Sequence, residues 1–126
     1  MSAPPLHHPA VELVGIVKRF AEHLAVDDVS LTIAPAEFFS LLGASGCGKT
    51  TTLRIVAGFE TPSAGSVRLD GEDITARPAH LRPVGMVFQN YALFPHLSVF
   101  ENIAFALRLR RFVLVPSRAV QRGRAA

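Results

Sequence analysis

The nine residues Gly43-Ala44-Ser45-Gly46-Cys47-Gly48-Lys49-Thr50-Thr51 carry the chemistry most readily read from this chain. Their pattern is G-x-x-x-x-G-K-[ST]. An apolar run, Phe38-Phe39-Ser40-Leu41-Leu42, precedes it, and helix-compatible Leu53-Arg54-Ile55-Val56-Ala57 follows. A strand, a glycine turn and a helix in that order form a loop that cradles phosphate groups. Gly43, Gly46 and Gly48 permit a tight turn and let bare N–H groups approach anionic oxygens. The free N–H groups of the following helix add the positive end of its dipole. Lys49 would place its ammonium on the β- and γ-phosphates, and Thr50 its hydroxyl on the Mg²⁺ that bridges them. The bland alternative is a glycine-rich turn beside a surface lysine. Cys47 admits two readings: a reactive thiol near a helix N-terminus, or a small side chain whose backbone N–H matters and whose sulfur does not.

The elements that must hold this loop follow from pattern. Val11–Phe20 is expected to be a first strand. Val29-Ser30-Leu31-Thr32-Ile33 alternates with period two, as a half-buried antiparallel strand does. Phe38–Leu42 and Val84-Gly85-Met86-Val87-Phe88 are apolar throughout, as expected of strands buried on both faces. The helix after the loop is expected to bury Leu53, Val56 and Ala57 and to stop at Gly58. Val67-Arg68-Leu69, Asp70-Gly71 and Glu72-Asp73-Ile74 read as a hairpin with an Asp-Gly turn. Ser98-Val99-Phe100-Glu101 fits a capping box, and the helix it opens repeats Phe100, Ile103, Ala104 and Leu107 at helical spacing.

Composition narrows the class. The 126 residues are 49% hydrophobic and 18% charged, which suits one modest globular domain. A single cysteine excludes an internal disulfide and fits a reducing compartment. No apolar run reaches the roughly 18 residues needed to span a bilayer. Residues 1–10 lack a charged n-region and an apolar h-region, so they read as a disordered lead-in and not a signal peptide. His7 and His8 have no further ligand nearby for a metal. The net charge of +3 is misleading: residues 1–107 hold 7 Lys+Arg against 10 Asp+Glu, and the other 6 basic residues, all arginine, come after them. The pI of 9.8 therefore describes the tail and is weak evidence for nucleic-acid binding, and no nucleic-acid partner is expected.

Taken in order, these motifs resemble the ATP-binding subunit of ABC transporters, most of all importer subunits of the polyamine, iron and sugar type. Val26-Asp27-Asp28-Val29-Ser30-Leu31 looks like the family's second strand. Leu42 to Arg54 with Ala57-Gly58 resembles its Walker A segment, and Gly65-Ser66-Val67 with Asp70-Gly71 the following hairpin. Val87-Phe88-Gln89-Asn90-Tyr91-Ala92-Leu93-Phe94-Pro95-His96 with Glu101-Asn102 resembles its Q-loop and the start of its helical subdomain. The resemblance covers residues 11–111. It implies an α/β fold: the N-terminal part of the ABC-type P-loop NTPase, with an antiparallel β subdomain and the start of a RecA-like core whose sheet is incomplete.

The resemblance also implies roles. Phe20 takes the place of the aromatic that stacks on adenine, with a core phenylalanine as the alternative. Ala25 would line the adenine side. Gly43, Ala44, Ser45, Gly46, Cys47, Gly48, Lys49, Thr50 and Thr51 would hold the phosphates of ATP. Gln89 would be the Q-loop glutamine, joining Thr50 at Mg²⁺. Tyr91–His96 would receive a helix of a membrane-spanning permease subunit, with plain core as the alternative. A second ATP-binding subunit would dimerise head to tail, and the site of action would be the inner face of the cell membrane, peripheral and cytoplasmic.

The signature L-S-G-G-Q, the Walker B Asp-Glu and the switch histidine are not found along the 126 residues. Residues 112–126 are arginine- and alanine-rich and depart from the family pattern, so the expectation is a truncated or frameshifted frame. Two functions stay open: an ATP-binding importer subunit, or a non-hydrolysing remnant that binds nucleotide weakly or not at all. A small kinase or GTPase is a third phosphate-loop class, and Gln89–His96 argues against it.

Overall fold

A computed structural model gives the fold. It describes residues 8–112, with side chains described through residue 109. Residues 1–7 of the lead-in over 1–10, and residues 113–126 of the arginine- and alanine-rich end over 112–126, lie outside the described residues. The chain forms two compact units, Met1–Met86 and Val87–Ala126.

The first unit is built on β1 (Val11–Phe20), β2 (His23–Ile33), α1 (Lys49–Ala57), β3 (Ala64–Leu69) and β4 (Glu72–Asp73). The four strands form one antiparallel sheet in the order β2-β1-β3-β4. The central strand, β1, pairs Leu13 with Leu31 on one side and with Val67 on the other. Leu13 and Ile16 are both buried although they lie three residues apart. Strict alternation would put them on opposite faces. A register shift between them, with Gly15 at φ 57°, supplies the extra residue that turns Ile16 back to the core. Leu13, Ile16, Val26, Val67, Leu69 and Ile74 close around Ile55 of α1 to make the core.

The β1–β2 pair extends six residues further back than its alternating segment, to His23, because the Phe20–His23 pair closes a tight turn. The β3–β4 hairpin turns through Asp70 (φ 49°) and Gly71 (φ 80°), the two left-handed residues that a type I′ loop requires. Helix α1 ends as expected at Gly58. With Gly58 at φ 86°, its N–H donates to the Ile55 carbonyl, and the Phe59 N–H to Arg54 at 2.9 Å. This is a Schellman ending, and it needs a residue tolerant of positive φ.

Three expectations change. Phe38–Leu42 and Val84–Phe88 are not strands. Phe38 is 94% exposed, Leu42 92% and Val87 85%. An apolar run becomes a buried parallel strand only beside hydrogen-bonded neighbour strands, and among the described residues the sheet consists of β1–β4 without either run. The buried face of α1 also differs. Ile55, Thr52 and Ala57 are buried, while Leu53 is exposed and Val56 half-buried.

The second unit contains α2 (Val99–Phe112) and the turns that lead into it. The capping box forms: the Ser98 N–H donates to Glu101 Oε2 at 2.9 Å, and the Glu101 N–H to Ser98 Oγ at 3.2 Å. The Ser98 N–H and then the Ser98 hydroxyl, both donating to Glu101 Oε2 at 2.9 Å, hold the Glu101 carboxyl below the usual glutamate range. A carboxyl whose folded pKa is depressed stabilises at pH above its unfolded pKa, and that contribution is lost as pH falls through the folded one. The first turn of α2 is therefore expected to fray on acidification through the carboxylate range. Backbone chemical shifts of Val99–Phe105 would report this, and Glu101→Gln, which cannot titrate, should remove the pH dependence.

Candidate functional site

The phosphate loop lies between β2 and α1, and one contact sets its position. Gly48, the N-cap of α1 at φ 94°, rests on the β2 backbone so closely that a Cβ there would stand 2.3 Å from the Ala25 carbonyl oxygen. Only glycine fits both the angle and the approach. The structure thus brings Ala25 beside the loop. Gly46 also has positive φ (80°), and the Cys47 N–H closes a turn onto the Ala44 carbonyl at 3.3 Å. At Gly43 a Cβ would meet Cys47 Sγ at 2.6 Å, so a side chain there would displace the thiol.

The first helical hydrogen bond of α1 runs from the Thr52 N–H to the Gly48 carbonyl at 2.9 Å, and the Thr52 hydroxyl donates to the same oxygen. The N–H groups before it belong to the turn that has no intrahelical acceptor. No side chain caps them and no acidic residue lies in the first turn, so the positive end of the helix dipole is uncompensated. Lys49 reaches back over the loop. Its ammonium donates to the Gly43 and Ala44 carbonyls at 2.7 Å each and to Cys47 Sγ at 3.3 Å. The sulfur thus touches the lysine head, which the backbone-only reading of Cys47 does not include. Ser45 and Thr50 are exposed on the same loop, and Thr51 is half-buried.

An apolar cleft of about 370 Å³ runs from Lys49 and Thr50 between α1 and the β1–β2 face, past Leu13, Leu31, Ile33 and Leu41. Aliphatic walls do not solvate a polyanion. The surface suited to an anion is the loop itself, with its N–H groups and ammonium.

Phe20 ends β1 and is 41% exposed, with the Lys18 ammonium 4.8 Å from its ring centroid. Gln89 lies in the second unit, exposed, where the Tyr91 N–H closes a turn onto the Phe88 carbonyl at 2.9 Å. Thr50 and Gln89 therefore belong to different units. Among the described residues no group of three or more His, Cys, Asp or Glu could hold a metal ion. No helix among the described residues is long and apolar enough to cross a membrane.

Three supporting residues escaped the sequence reading. Arg82 is buried under the C-terminal end of α1. Lys18 is tied to the segment that follows α1. Asn102 gathers the loop before α2: its Oδ1 accepts from the Phe94 N–H, and its Nδ2 donates to the carbonyls of Phe94, Leu97 and Ser98. Phe94 then packs on Phe105, ring centroids 4.6 Å apart. None of the three carries a spacing signature, because each acts on main-chain carbonyls brought in by the fold or the turn.

Comparisons with known proteins agree with this geometry. The family model described as ABC transporter matches residues 26–125. The spermidine/putrescine import ATP-binding protein PotA of Protochlamydia amoebophila is 63% identical over 94 residues, 75% of this chain and 25% of that protein. The putrescine transport ATP-binding protein PotG of Escherichia coli is 57% identical over 100 residues, 79% of this chain and 26% of that protein. The chain thus spans about a quarter of the length of these curated relatives. A nucleotide-free ATP-binding cassette from an ABC transporter superposes with a TM-score of 0.55 at 30% identity, over 56% of this chain and 28% of that one. With the loop, the hairpin and the capped helix in place, the chain belongs to the ABC transporter family.

Proposed function

We propose that this chain carries the phosphate- and base-contacting groups of the ATP-binding subunit of a polyamine importer. One observation carries the proposal: a glycine loop docked on β2 opens directly into α1, with the Lys49 ammonium held over its carbonyls. Loop N–H groups from Gly43 to Thr51 would donate to the phosphates of ATP, and the Lys49 ammonium would turn from its carbonyls to the same oxygens. Mg²⁺, when bound with the nucleotide, neutralises charge on the β- and γ-phosphates. The Thr50 hydroxyl is the group on this loop suited to hold it. Phe20 would stack on the adenine and Ala25 would border it.

The polyamine assignment rests on relatives named as spermidine/putrescine and putrescine transport subunits. Tyr91 and Leu93 are exposed on the second unit, as are Phe100, Ile103 and Leu107 on α2. Exposed apolar side chains of this number on one small unit favour a protein partner, and the membrane-spanning permease subunit fits that role. A second ATP-binding subunit, placed head to tail at the cytoplasmic face of the membrane, completes the assembly.

The test is equilibrium dialysis of the purified chain against labelled ATP, with and without magnesium. Saturable uptake at one site per chain, strengthened by magnesium, is the expected result. A folded preparation that shows no saturable uptake would falsify the proposal.

A further inference from the structure

Lys18 is an unusual lysine for a strand end. Its side chain is only 14% exposed, and its ammonium has a partner on each side. It donates to the Thr61 carbonyl at 2.7 Å and pairs with Glu60 at 3.2 Å. It also lies over the Phe20 ring, 4.8 Å from the centroid. Lys18 and Phe20 are two residues apart on β1, the spacing that puts side chains on one face of a strand. A shielded cation over an aromatic face is attracted by the ring quadrupole more strongly than a solvated one.

The clamp is itself anchored. Glu60 stands two residues beyond Gly58, and the Phe59 and Glu60 N–H groups both donate to the Arg54 carbonyl of α1, at 2.9 and 3.3 Å. Farther along the same segment, the Ser63 N–H donates to the Val17 carbonyl at 2.7 Å, and the Arg19 N–H to Ser63 Oγ at 3.0 Å. One helix therefore begins in the phosphate loop and ends at the residues that hold Lys18.

We propose that Lys18 is a positioning residue for base recognition: clamped by Glu60 and the Thr61 carbonyl, its ammonium takes one face of the Phe20 ring and leaves the other to a purine. The inference rests on Phe20 as the stacking residue of the proposed nucleotide site. It makes the ring part of a frame tied through α1 to the phosphate loop, and it predicts that Lys18 affects only ligands that carry a base.

The experiment measures dissociation constants of the full chain for Mg-ATP and for magnesium tripolyphosphate, which lacks a base. Lys18→Met keeps most of the aliphatic stem and removes the charge. It should weaken Mg-ATP about 3- to 10-fold and leave tripolyphosphate unchanged. Lys18→Arg should restore most of the loss, since a guanidinium also stacks on an aromatic face. In a Phe20→Ala background, Lys18→Met should cost nothing further, because the ring through which it acts is gone. Glu60→Gln, which loosens the clamp and keeps the ring, should reproduce a smaller loss for ATP alone, and it carries the test if Lys18→Met does not fold. Equal weakening of both ligands, or an ATP loss that persists without Phe20, overturns the proposal. A wild-type chain that binds neither ligand overturns the nucleotide reading and this one together. Normal tripolyphosphate binding with no Lys18 effect on ATP overturns this one alone.

Discussion

Lys49→Ala is expected to weaken Mg-ATP binding at least a hundredfold while leaving the fold nearly unchanged. The ammonium donates to the Gly43 and Ala44 carbonyls at 2.7 Å, so its head already lies over the loop that would receive a phosphate. A hydrogen bond with an ionised partner contributes about 1.5–3 kcal/mol net, and two phosphate oxygens sharing one ammonium reach that range or exceed it. A hundredfold loss corresponds to about 2.8 kcal/mol. The folded chain loses less, because the acceptors at Gly43 and Ala44 are exposed and water can replace the lysine. The urea midpoint should therefore move by the equivalent of under ~1 kcal/mol. Lys49→Arg should not restore binding, since a planar fork does not replace a compact point charge where backbone crowds the head. The check is the same dialysis with both variants, alongside urea titration. A Lys49→Ala chain that binds Mg-ATP with unchanged affinity would remove the loop from the site.

What could be read from residues alone was whatever local geometry decides. Asp70-Gly71 demanded a turn with two positive φ angles, and that turn is present. Ser98 and Glu101 exchange the hydrogen bonds that their three-residue spacing allows. The glycines of the phosphate loop needed no distant partner to be recognised. Long-range pairing decided the rest. Phe38–Leu42 has the composition of a buried strand, but strand formation depends on a neighbour that composition cannot supply. Helix α1 shows the same limit on a smaller scale. Leu53, Ile55, Val56 and Ala57 spread around a nine-residue helix, so periodicity alone selects no face. The seat of Gly48 on the Ala25 carbonyl turns the helix, and Ile55 goes to the core instead of Leu53. At the proposed site the groups expected to meet the ligand carry a spacing signature, while Lys18 and Arg82, which hold the frame, carry none.

Arg82 carries the largest expected effect on stability. It is 7% exposed, and no carboxylate pairs with it among the described residues. Its guanidinium donates instead to four carbonyls. Nη1 reaches Ile55 at 2.8 Å and Val56 at 3.0 Å, Nε reaches Arg77 at 2.7 Å, and Nη2 reaches Thr75 at 3.2 Å. Two of these acceptors lie in the last turn of α1, where the helix dipole is negative and carbonyls lack intrahelical partners. Burial, and then the charge of Arg77, lower its pKa, yet a guanidinium stays protonated at all ordinary pH, so its contribution should not vary across neutral pH. Gly58 leaves the room: a Cβ there would stand 2.6 Å from Arg82 Nε. Arg82→Met keeps much of the stem and strips every donor, so at a buried helix end the Val56 carbonyl loses its guanidinium donor and the Ile55 carbonyl keeps only the Gly58 N–H. The expected loss is about 3 kcal/mol, or roughly 1.5 M in the urea midpoint. Arg82→Lys should recover only part, because one nitrogen cannot reach all four carbonyls on the two segments. Arg77→Met, which breaks an exposed pair with Glu72, should cost under ~1 kcal/mol and controls for the loss of positive charge. If Arg82→Met unfolded at the wild-type midpoint, the anchor of α1 would have to be sought elsewhere. Mg-ATP affinity should fall with the anchor, since the phosphate loop is the other end of the same helix.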